Sequence, residues 1–485
     1  MKRSYTLVLI LFIAFLVESQ TNASRKTHEN QEVILLHTND IHGQINNFPR
    51  LAFVVDSVRK IHENVFLLNA GDLFSGNPII DMYEDKGFPI IDLMNRTGFN
   101  VSAFGNHEFD YGQKILKKRI EQAHFPFICA NLINESSLLK SPKAFIKLKT
   151  KNNLKINILS IVDNSANGLP ETHPAKLKGL KFSDPILTAS KYKKLTEKNN
   201  LFIALTHIGI DNDIILAQKM PEIDVIIGGH SHSLIDSLLM VNGVLIAQVG
   251  SKLKSVGEIK LIVNNGKIID KSLKIINLQG KNNVDNGMRD LIHQYNDNKM
   301  LKEVLAKAKV KLSGNEEIGC FYTDALRNSK NLDIVFQNSG GIRINEIPEG
   351  EITLETVYRM DPFGNYLMSI NLNPDEIRSL IRFSFRDGKI DLRVSGINYT
   401  IVKENNAIKE IILTDYQGIP IDENKTYSVG MNDYIINTYN FQHLEKPMSQ
   451  GVTTAEVIID YLKKVGEFDY SGTKRTFLKD LDAQN

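Results

Sequence analysis

The chain has 485 residues, which is too long for one hydrophobic core and long enough for two domains of ordinary size. A hydrophobic content of 42% and a charged content of 24% are typical of a soluble globular protein. The formal net charge of +2 provides no basic surface of the kind that binds nucleic acid, so that class of partner is not expected.

Residues 1–23 have the pattern of a signal peptide. Lys2 and Arg3 precede an apolar stretch over residues 6–17, which is short for a membrane span, and small or polar residues follow it. No Cys lies nearby for lipid attachment, and the last residues are polar. We therefore expect a secreted protein, extracellular or periplasmic, without a stable membrane anchor. An uncleaved signal anchor is the alternative.

Five short apolar runs each end in polar residues of the types that bind metal ions. Runs of this length that are rich in Val, Ile, Leu and Phe indicate buried strands of a sheet covered on both faces. Because loops that leave the carboxyl ends of such strands gather at one edge, we expect the polar residues to meet there. The runs are Val33–Leu36, Val65–Leu68, Val101–Phe104, Phe202–Leu205 and Val225–Ile227.

The residues after these runs form one candidate metal-binding set. Two cations about 3.5–4 Å apart take roughly eight protein ligands or fewer and leave positions open for water and substrate. Mixed imidazole and carboxylate ligands favour two divalent ions such as Zn or Mn over Mg or Ca. One such motif alone is more often a turn, so it is their number that favours the metal site. The expected ligands are Asp40, His42 and His232 on one ion, Asn106, His207 and His230 on the other, and Asp72 as the bridge.

His107 and Asp110 lie beside the expected ligand Asn106. We expect His107 to point away from the ions and toward the substrate. A protonated imidazole that a carboxylate orients can stabilise charge on a phosphoryl group or protonate the leaving oxygen. The alternative is that Asp110 caps a helix starting near Tyr111, because Asp is a favoured N-cap residue. The orientation of the Asp110 side chain distinguishes the two roles, which are compatible.

The segment after residue 250 marks a domain boundary. A strand over 257–263 and an Asn-Gly turn at 264–267 predict a hairpin. The apolar residues of 288–307 stand at largely helical spacing, so we expect a helix that joins the domains and packs against one of them. The N-terminal domain is accordingly predicted over 30–280 and the C-terminal domain over 308–485.

These motifs resemble those of the calcineurin-like metallophosphoesterases, and their spacing is similar to that of the secreted 5'-nucleotidase family. Asn-Ser-Gly-Gly-Ile-Arg at 338–343 and Asp-Pro-Phe-Gly-Asn at 361–365 resemble hallmark loops of that family's C-terminal domain. The resemblance spans nearly the whole chain after the signal segment. It implies an α/β fold: an N-terminal α/β/β/α sandwich metallophosphoesterase domain joined by a helix to a smaller α/β C-terminal nucleotidase domain. It also implies the metal ligands named above and a catalytic pair of His107 and Asp110.

The same resemblance implies a substrate pocket that the C-terminal domain carries toward the metals. Arg343 is expected to meet the phosphate, with Asn338 beside it. Phe363 is expected to form one face of a slot for the base, with Asn365 adjacent and Tyr434 as the second aromatic residue. Stacking on a base contributes roughly 1–3 kcal/mol and tolerates different bases. The alternatives are core packing for Phe363 and a surface salt bridge for Arg343.

The chain departs from the family pattern in its specificity pocket. A Gly-Gly-Asp-Gly loop expected just beyond Tyr434 is absent, and Asn440 is the nearest substitute for its ribose-binding carboxylate. The family pattern also has arginines upstream of the first helix of the C-terminal domain. In this chain, the basic residues of that region are Lys307, Lys309 and Lys311. Lysine lacks the bidentate fork of a guanidinium, so it specifies phosphate geometry less tightly. We expect an intact catalytic site and an altered specificity pocket.

The sequence favours a secreted dinuclear-metal phosphohydrolase whose partner is a small nucleotide or phosphate ester, with nucleoside 5'-monophosphates as the expected substrates. Alternatives within the fold are a 2',3'-cyclic-nucleotide phosphodiesterase with 3'-nucleotidase activity and a hydrolase of UDP-sugars or dinucleotides. Asp110 argues against the first, because relatives of that type resemble this motif with Asn there. An alternative of another class is an exported nucleotide- or ligand-binding protein with little turnover. The altered ribose loop supports it, and the full ligand set opposes it.

Overall fold

The structure is a computed structural model, and it describes residues 30–165, 168–196, 200–280, 282–386, 388–405 and 407–482. The predicted signal peptide over 1–23 lies outside the described residues and stays a prediction. Within the described ranges, no helix combines the length and the apolar composition that crossing a membrane requires.

Two six-stranded sheets account for most of the N-terminal domain, as far as the structure describes it. Its strands are β1 (Gln31–Thr38), β2 (Val65–Asn69), β3 (Val101–Ala103), β4 (Phe127–Ile128), β5 (Leu132–Asn134), β6 (Phe145–Lys149), β7 (Lys155–Val162), β8 (Leu180–Phe182), β9 (Asn200–His207), β10 (Val225–Ile227), β11 (Leu239–Val241), β12 (Val244–Ala247), β13 (Ser255–Asn264) and β14 (Lys267–Asn277). Its helices are α1 (Phe48–Ile61), α2 (Pro78–Asp81), α3 (Phe88–Thr97), α4 (Gln113–Gln122), α5 (Pro185–Ser190), α6 (Ile210–Lys219) and α7 (Asn286–Asn296). The sheet orders are β14-β13-β1-β2-β3-β4 and β11-β12-β10-β9-β7-β6.

The two sheets stack face to face and helices cover their outer faces. Alternate residues of β1 face opposite sides of the sheet. Val33 and Leu35 lie in the core between the sheets, and Ile34 and Leu36 lie in the core beneath α1 and α3. The second sheet packs its outer face against α5 and α6. This layering confirms the predicted α/β/β/α sandwich. The five predicted runs are β1, β2, β3, β9 and β10, and they divide between the two sheets.

The strand directions bring the polar loops together. β1, β2 and β3 are parallel neighbours in the first sheet, and β9 and β10 are parallel neighbours in the second. The carboxyl ends of parallel strands lie at the same edge of a sheet. The loops after all five strands therefore meet at one edge of the sandwich.

The C-terminal domain is a smaller α/β unit around a mixed sheet of order β21-β17-β24-β20-β25. Its strands are β15 (Val304–Ala308), β16 (Leu312–Ser313), β17 (Ile334–Asn338), β18 (Glu346–Ile347), β19 (Gly350–Thr353), β20 (Tyr366–Leu372), β21 (Leu392–Ser395), β22 (Asn398–Glu404), β23 (Ala407–Thr414), β24 (Tyr427–Asn432), β25 (Met448–Thr453), β26 (Glu467–Phe468) and β27 (Thr476–Asp480). Its helices are α8 (Gly314–Lys330), α9 (Leu354–Met360), α10 (Pro374–Ser384), α11 (Asp433–Thr438) and α12 (Thr454–Val465).

The central sheet of this domain also collects its functional loops at one edge. β17 and β24 are parallel, so the loop after Asn338 and helix α11 leave the sheet on the same side. β20 is antiparallel to β24 and pairs Leu367 with Asn432, so the loop that precedes β20 reaches that side too. This arrangement brings together the two predicted substrate loops and Tyr434.

The segment between the domains differs from its prediction. The prediction of a single helix over 288–307 is wrong beyond the end of α7. A 3-10 turn over Met300–Lys302 and strand β15 follow α7 instead. The Asn298 side chain accepts a hydrogen bond from the Met300 N–H at 3.1 Å. Such local bonds allow Asn to compete with helical hydrogen bonding, so they favour a turn here. β15 then pairs with β19 of the C-terminal domain.

Helix α7 packs against the N-terminal domain. Ile292 and Tyr295 are buried in the same core as α1, and the Tyr295 hydroxyl donates to Asp92 at 2.8 Å. Asp285 caps the helix by accepting from the Met288 N–H at 2.7 Å. The helix is therefore fixed on one domain, and it is shorter than the spacing of apolar residues predicts.

Candidate metal centre and substrate cavity

The predicted metal ligands lie where the strands of both sheets end. Five of the seven have left-handed backbone conformations, with φ angles of 50° at Asp40, 49° at His42, 58° at Asp72, 80° at His230 and 55° at His232. Such conformations cost about 1–3 kcal/mol per non-glycine residue and persist only where surrounding contacts fix them. Here the Asp40 and His42 N–H groups each donate at 3.0 Å to carbonyls of the neighbouring loop. A concentration of strained polar residues at one edge indicates a functional site.

The first group of side chains contains Asp40, His42 and His232. The Nδ1 of His42 lies 3.1 Å from the carbonyl of Ser75, which can only accept, so Nδ1 carries the proton and Nε2 presents a lone pair. That Nε2 lies 3.0 Å from Nε2 of His232 and 3.9 Å from Oδ2 of Asp72. His232 Nε2 in turn lies 3.6 Å from Oδ1 of Asp40. Four ligand-type side chains thus face one point.

The second group contains Asn106, His207 and His230. His207 donates from Nδ1 to the carbonyl of Ala70 at 2.7 Å, so Nε2 is the ring nitrogen that faces the other ligand-type atoms. This Nε2 lies 3.1 Å from Oδ2 of Asp72 and 3.2 Å from Oδ1 of Asn106. His230 Nδ1 lies 3.1 Å from the same Asn106 oxygen. The groups share Asp72, whose Oδ2 lies within reach of both.

The donor atoms of these groups fit divalent cations. Lone pairs that face one another repel unless a proton or a cation lies between them. Imidazole nitrogens, carboxylates and one amide oxygen form a set that suits Zn or Mn. Ligand atoms lie within 4.8 Å of one another in three sets, which are Asp40 with His42 and His232, His42 with Asp72 and His107, and Asp40 with Asp72 and His207.

The Asp and His side chains of the two groups are buried, so the charge on each one depends on its charged neighbours. Burial, with Asp72 adding to it, raises the pKa of Asp40 to about 7. Burial alone would lower the pKa of His207, but Asp72 and Asp40 outweigh it and raise that pKa to about 10. Burial lowers the pKa of His232 to about 4 and that of His42 well below its ordinary value. Cations bound here would compensate the buried carboxylates and keep all the imidazoles neutral.

Glycine allows the loops that carry the candidate metal ligands to approach one another closely. A Cβ atom on Gly105 would lie 2.3 Å from Oδ1 of Asp72, so only glycine fits before Asn106. The buried carboxylate of Glu108 fixes the opposite loop by accepting from the N–H groups of Asp72 at 3.0 Å and Leu73 at 2.7 Å. Glu108 was not among the predicted site residues, because its role is visible only in the loop-to-loop contact.

His107 and Asp110 form a close pair. The Nδ1 of His107 lies 2.6 Å from Oδ2 of Asp110, and Thr172 donates its hydroxyl to the other carboxylate oxygen at 2.7 Å. Burial opposes charge on His107, but Asp110 and Asp72 raise its pKa above the ordinary value. The interpretation of Asp110 as a helix cap is wrong, since α4 begins at Gln113 and has no side-chain cap.

The position of His107 differs in one respect from the prediction. A ring nitrogen of His107 lies within 4.8 Å of ligand atoms of His42 and Asp72. The same side chain lines the cavity between the domains. His107 therefore lies between the candidate metal ligands and the cavity. Contrary to the prediction, it does not point away from those ligands.

One cavity of about 130 Å³ lies between the two domains at this edge. From the N-terminal domain, its wall includes Asn106, His107 and Asp110. All five predicted substrate residues line the opposite side, and they are Asn338, Arg343, Phe363, Asn365 and Tyr434. The structure therefore brings the predicted catalytic pair and the predicted substrate residues to one space.

Phe363 and Arg343 have different surroundings from those of their alternative interpretations. The Phe363 ring stacks on His107, with centroids 5.9 Å apart and planes 18° apart, and the Arg343 guanidinium lies 5.7 Å from the Phe363 centroid. Phe363 is only partly buried, and no described residue forms a salt bridge with Arg343. Phe363 is therefore not a core residue. No salt bridge within the described residues holds Arg343. Asn432 fixes Asn338 by donating to its Oδ1 at 2.9 Å, which leaves the Asn338 amide hydrogens available to a ligand.

A second cavity of about 340 Å³ adjoins the first and shares Glu171, Thr172 and Tyr434 with it. Asn440 lines this second cavity, together with the aromatic residues Phe383 and Tyr439. The replacement for the expected Gly-Gly-Asp-Gly loop thus lies beyond Tyr434 and away from the metal groups.

The three lysines upstream of α8 lie elsewhere. Lys309 pairs with Glu467 at 3.5 Å and Lys311 pairs with Glu346 at 2.8 Å. Neither these two nor Lys307 lines the two cavities described above. They therefore do not replace the arginines that the family pattern places in this region.

Four residues of the first cavity lie outside every motif predicted from the sequence: Glu171, Thr172, His173 and Lys176. They belong to a loop of the N-terminal domain without any recognised motif. The available signal is a polar Glu-Thr-His triplet between two prolines, and a pattern this short has no specific interpretation by itself.

Two family models match the chain over most of both domains. Residues 34–234 match the calcineurin-like phosphoesterase model, and residues 301–446 match the model of the 5'-nucleotidase C-terminal domain. The chain belongs to the 5'-nucleotidase family. The members of this family are metal-dependent hydrolases.

Individual relatives of this 5'-nucleotidase family member agree with the assignment. The trifunctional nucleotide phosphoesterase protein YfkN of Bacillus subtilis is 28% identical over 501 residues, which cover 90% of this chain and 34% of that protein. This chain therefore spans about a third of YfkN. A 5'-nucleotidase of Vibrio cholerae is 25% identical over 515 residues, which cover 90% of this chain and 91% of that protein.

A solved structure shows the same fold. The crystal structure of a 5'-nucleotidase precursor from Thermus thermophilus superimposes with a TM-score of 0.80. It covers 92% of this chain and 99% of its own, at 23% sequence identity. The agreement over both domains supports the predicted two-domain architecture.

Proposed function

We propose that this chain is an exported phosphohydrolase that uses two divalent metal ions to release phosphate from nucleoside 5'-monophosphates. The observation that carries the proposal is the meeting of three features at one cavity. These are the convergent lone pairs of the ligand groups, the His107–Asp110 pair, and Arg343 without an acidic partner among the described residues. A pure binding protein has no chemical need for the first two.

In this proposal Asp40, His42 and His232 hold one ion, Asn106, His207 and His230 hold the other, and Asp72 holds both. Bound ions supply Lewis-acid polarisation of the phosphoryl oxygens and lower the pKa of water. Zn and Mn are the ions that the mixed donor set favours.

His107 has the position of a proton donor. Its Nδ1 is engaged by Asp110 at 2.6 Å, so Nε2 is the nitrogen that remains for a substrate. Asp110 and Asp72 raise the pKa of His107, which favours the protonated ring, and an N–H held in place stabilises charge on a phosphoryl oxygen or protonates the leaving oxygen. Arg343 presents a planar guanidinium that suits a phosphate group. In this proposal Phe363 forms one face of the base slot opposite Tyr434, which lines both cavities, and Asn338 lies beside the phosphate.

The sizes of the cavities favour a division of the substrate between them. The first cavity, at about 130 Å³, is smaller than the roughly 300 Å³ from which pockets for small molecules usually start, so it does not hold a whole nucleotide. The adjoining cavity of about 340 Å³ is lined by aromatic rings and suits a nucleoside. In this proposal Tyr434 lies at the junction, and Asn440 offers an amide to the sugar or the base.

The second cavity also favours one alternative substrate class. A UDP-sugar or a dinucleotide has two bulky parts joined by phosphates, and the pair of adjoining cavities offers space for such a molecule. No comparable feature favours a 2',3'-cyclic nucleotide.

Substrate profiling tests the proposal. Phosphate release is measured from AMP, UMP, 3'-AMP, 2',3'-cyclic AMP, UDP-glucose and p-nitrophenyl phosphate, with Mn or Zn supplied and then chelated. A strong, chelator-sensitive preference for the 5'-monophosphates supports the proposal. A preference for UDP-glucose supports the alternative, and comparable weak activity on every compound shows that the C-terminal domain recognises another ligand. N-terminal sequencing of the exported chain tests removal of residues 1–23.

A further inference from the structure

Three consecutive residues of one N-terminal-domain loop contact three different functional parts. The Glu171 carbonyl accepts from the Asn106 amide at 3.0 Å, which turns the Asn106 oxygen toward the ligand groups. The Thr172 hydroxyl donates to Asp110 at 2.7 Å. His173 lies against Asp433 of the C-terminal domain, with Nε2 and Oδ2 3.2 Å apart. We call residues 171–173 the bridging segment.

The backbone of the bridging segment is held firmly. Pro170 precedes it and Pro174 follows it, and proline fixes its own φ angle. The Thr172 N–H donates to the Pro170 carbonyl at 2.7 Å, and a 3-10 turn over Pro174–Leu177 begins directly after His173. A shift of His173 is therefore transmitted to Thr172 and is not absorbed between them.

Thr172 controls the orientation of Asp110. Each carboxylate oxygen of Asp110 has its own partner: Oδ2 faces His107 at 2.6 Å, and Oδ1 accepts from Thr172 at 2.7 Å. Thr172 is buried, with 5% of its surface exposed, so water does not readily replace its hydroxyl. Without this hydroxyl the carboxylate gains rotational freedom, and the bond to His107 becomes less well directed.

His173 joins the bridging segment to the C-terminal domain. Its Nδ1 accepts from the Ala175 N–H at 3.2 Å, so the proton lies on Nε2, which donates to Asp433. Asp433 is itself fixed, because its other oxygen accepts from the Tyr366 N–H at 3.1 Å, and it directly precedes the cavity residue Tyr434.

On the basis of the proposed function, we propose that Thr172 and His173 are positioning residues that couple docking of the C-terminal domain to the orientation of the catalytic pair. When Asp433 docks on His173, the bridging segment is held and Thr172 fixes Asp110 for its bond to His107. Tyr434 follows Asp433 directly, so the arrangement in which Tyr434 lines the cavity is also the one in which Asp433 contacts His173. The enzyme thus completes its proton donor when the substrate-carrying domain is in place.

The Thr172 hydroxyl is tested by a pair of substitutions. Thr172→Val keeps the shape and removes the donor, and we expect kcat to fall about tenfold on both AMP and p-nitrophenyl phosphate with KM little changed. Thr172→Ser restores a donor and is expected to return kcat to within about threefold of the unsubstituted enzyme. Metal content stays the same in both. Equal kcat in Thr172→Val and the unsubstituted enzyme would overturn the role of Thr172.

The coupling is tested by combining substitutions. If His173→Ala alone lowers kcat about fivefold, its combination with Thr172→Val should lower kcat about tenfold, as Thr172→Val does alone, because both act on Asp110. Effects that multiply would overturn the coupling. His62→Ala is a matched control, because it removes another histidine–carboxylate contact, with Glu32, in a residue that lines neither cavity. It is expected to leave kcat unchanged.

A measurement without turnover separates this inference from the proposed function. In Asp433→Ala, we expect faster hydrogen–deuterium exchange in peptides that cover residues 106–112, compared with the unsubstituted protein and with His62→Ala. Unchanged exchange there would overturn the coupling even if nucleotides are hydrolysed. Faster exchange in a protein that hydrolyses no nucleotide would support the coupling and refute the proposed substrate.

Discussion

Replacement of Asp110 by Asn separates the charge of the catalytic pair from its geometry. An Asn side chain at this position can still accept from His107 through its oxygen, and its amide can donate to the Thr172 hydroxyl, so the contacts at 2.6 and 2.7 Å can be kept. The lost feature is the negative charge that raises the pKa of His107. A hydrogen bond to a charged group contributes about 1.5–3 kcal/mol, so kcat should fall roughly 10- to 100-fold.

The assay is steady-state phosphate release from AMP, with the metal content and the thermal unfolding midpoint measured on the same sample. We expect KM, metal content and midpoint to stay close to those of the unsubstituted enzyme. Asp184→Asn is the matched control, because Asp184 caps α5 by accepting from the Leu187 N–H at 2.7 Å and lines neither cavity. An unchanged kcat in Asp110→Asn would refute the reasoning, and so would a loss of metal equal to the loss of activity.

Three further substitutions test other parts of the account. Asp72→Ala removes the shared ligand, and elemental analysis should find fewer than one ion per chain; two retained ions would exclude a bridging role. Phe363→Ala should raise KM for AMP about tenfold and KM for p-nitrophenyl phosphate much less, since stacking contributes roughly 1–3 kcal/mol; equal effects would indicate a structural role. Asp324→Ala leaves the Arg475 guanidinium without the two bonds of 2.7 and 2.8 Å that hold it, and urea unfolding should show a loss of about 3–5 kcal/mol. A loss below about 1 kcal/mol would show that water replaces the carboxylate.

The metal edge was predictable because its residues follow strands whose carboxyl-terminal ends are buried. Each of β1, β2, β3, β9 and β10 contains a short run that is apolar apart from Ser102 in β3, and the polar residues follow that run. The division of these strands between two sheets was not visible in their pattern, because the strands of both sheets are buried on both faces. The family resemblance supplied that part of the fold.

Contacts between distant loops could not be predicted in the same way. Thr172 and Asp110 are 62 residues apart, and neither the spacing nor the residue types mark them as partners. The helix between the domains was predicted too long for a different reason. Apolar spacing continues beyond α7, but the Asn298 side chain bonds to the backbone locally and the chain from Val304 pairs as a strand. Tertiary pairing outweighed helical periodicity there.

Metal stoichiometry measured against activity tests the central claim most directly. Chelated protein is titrated with Mn or Zn, and AMP hydrolysis is recorded together with the bound metal at each step. We expect no activity without metal and a rise in activity that ends at two ions per chain. Full activity in the chelated protein, or a plateau at one ion with Asp72 and Asn106 intact, would contradict it.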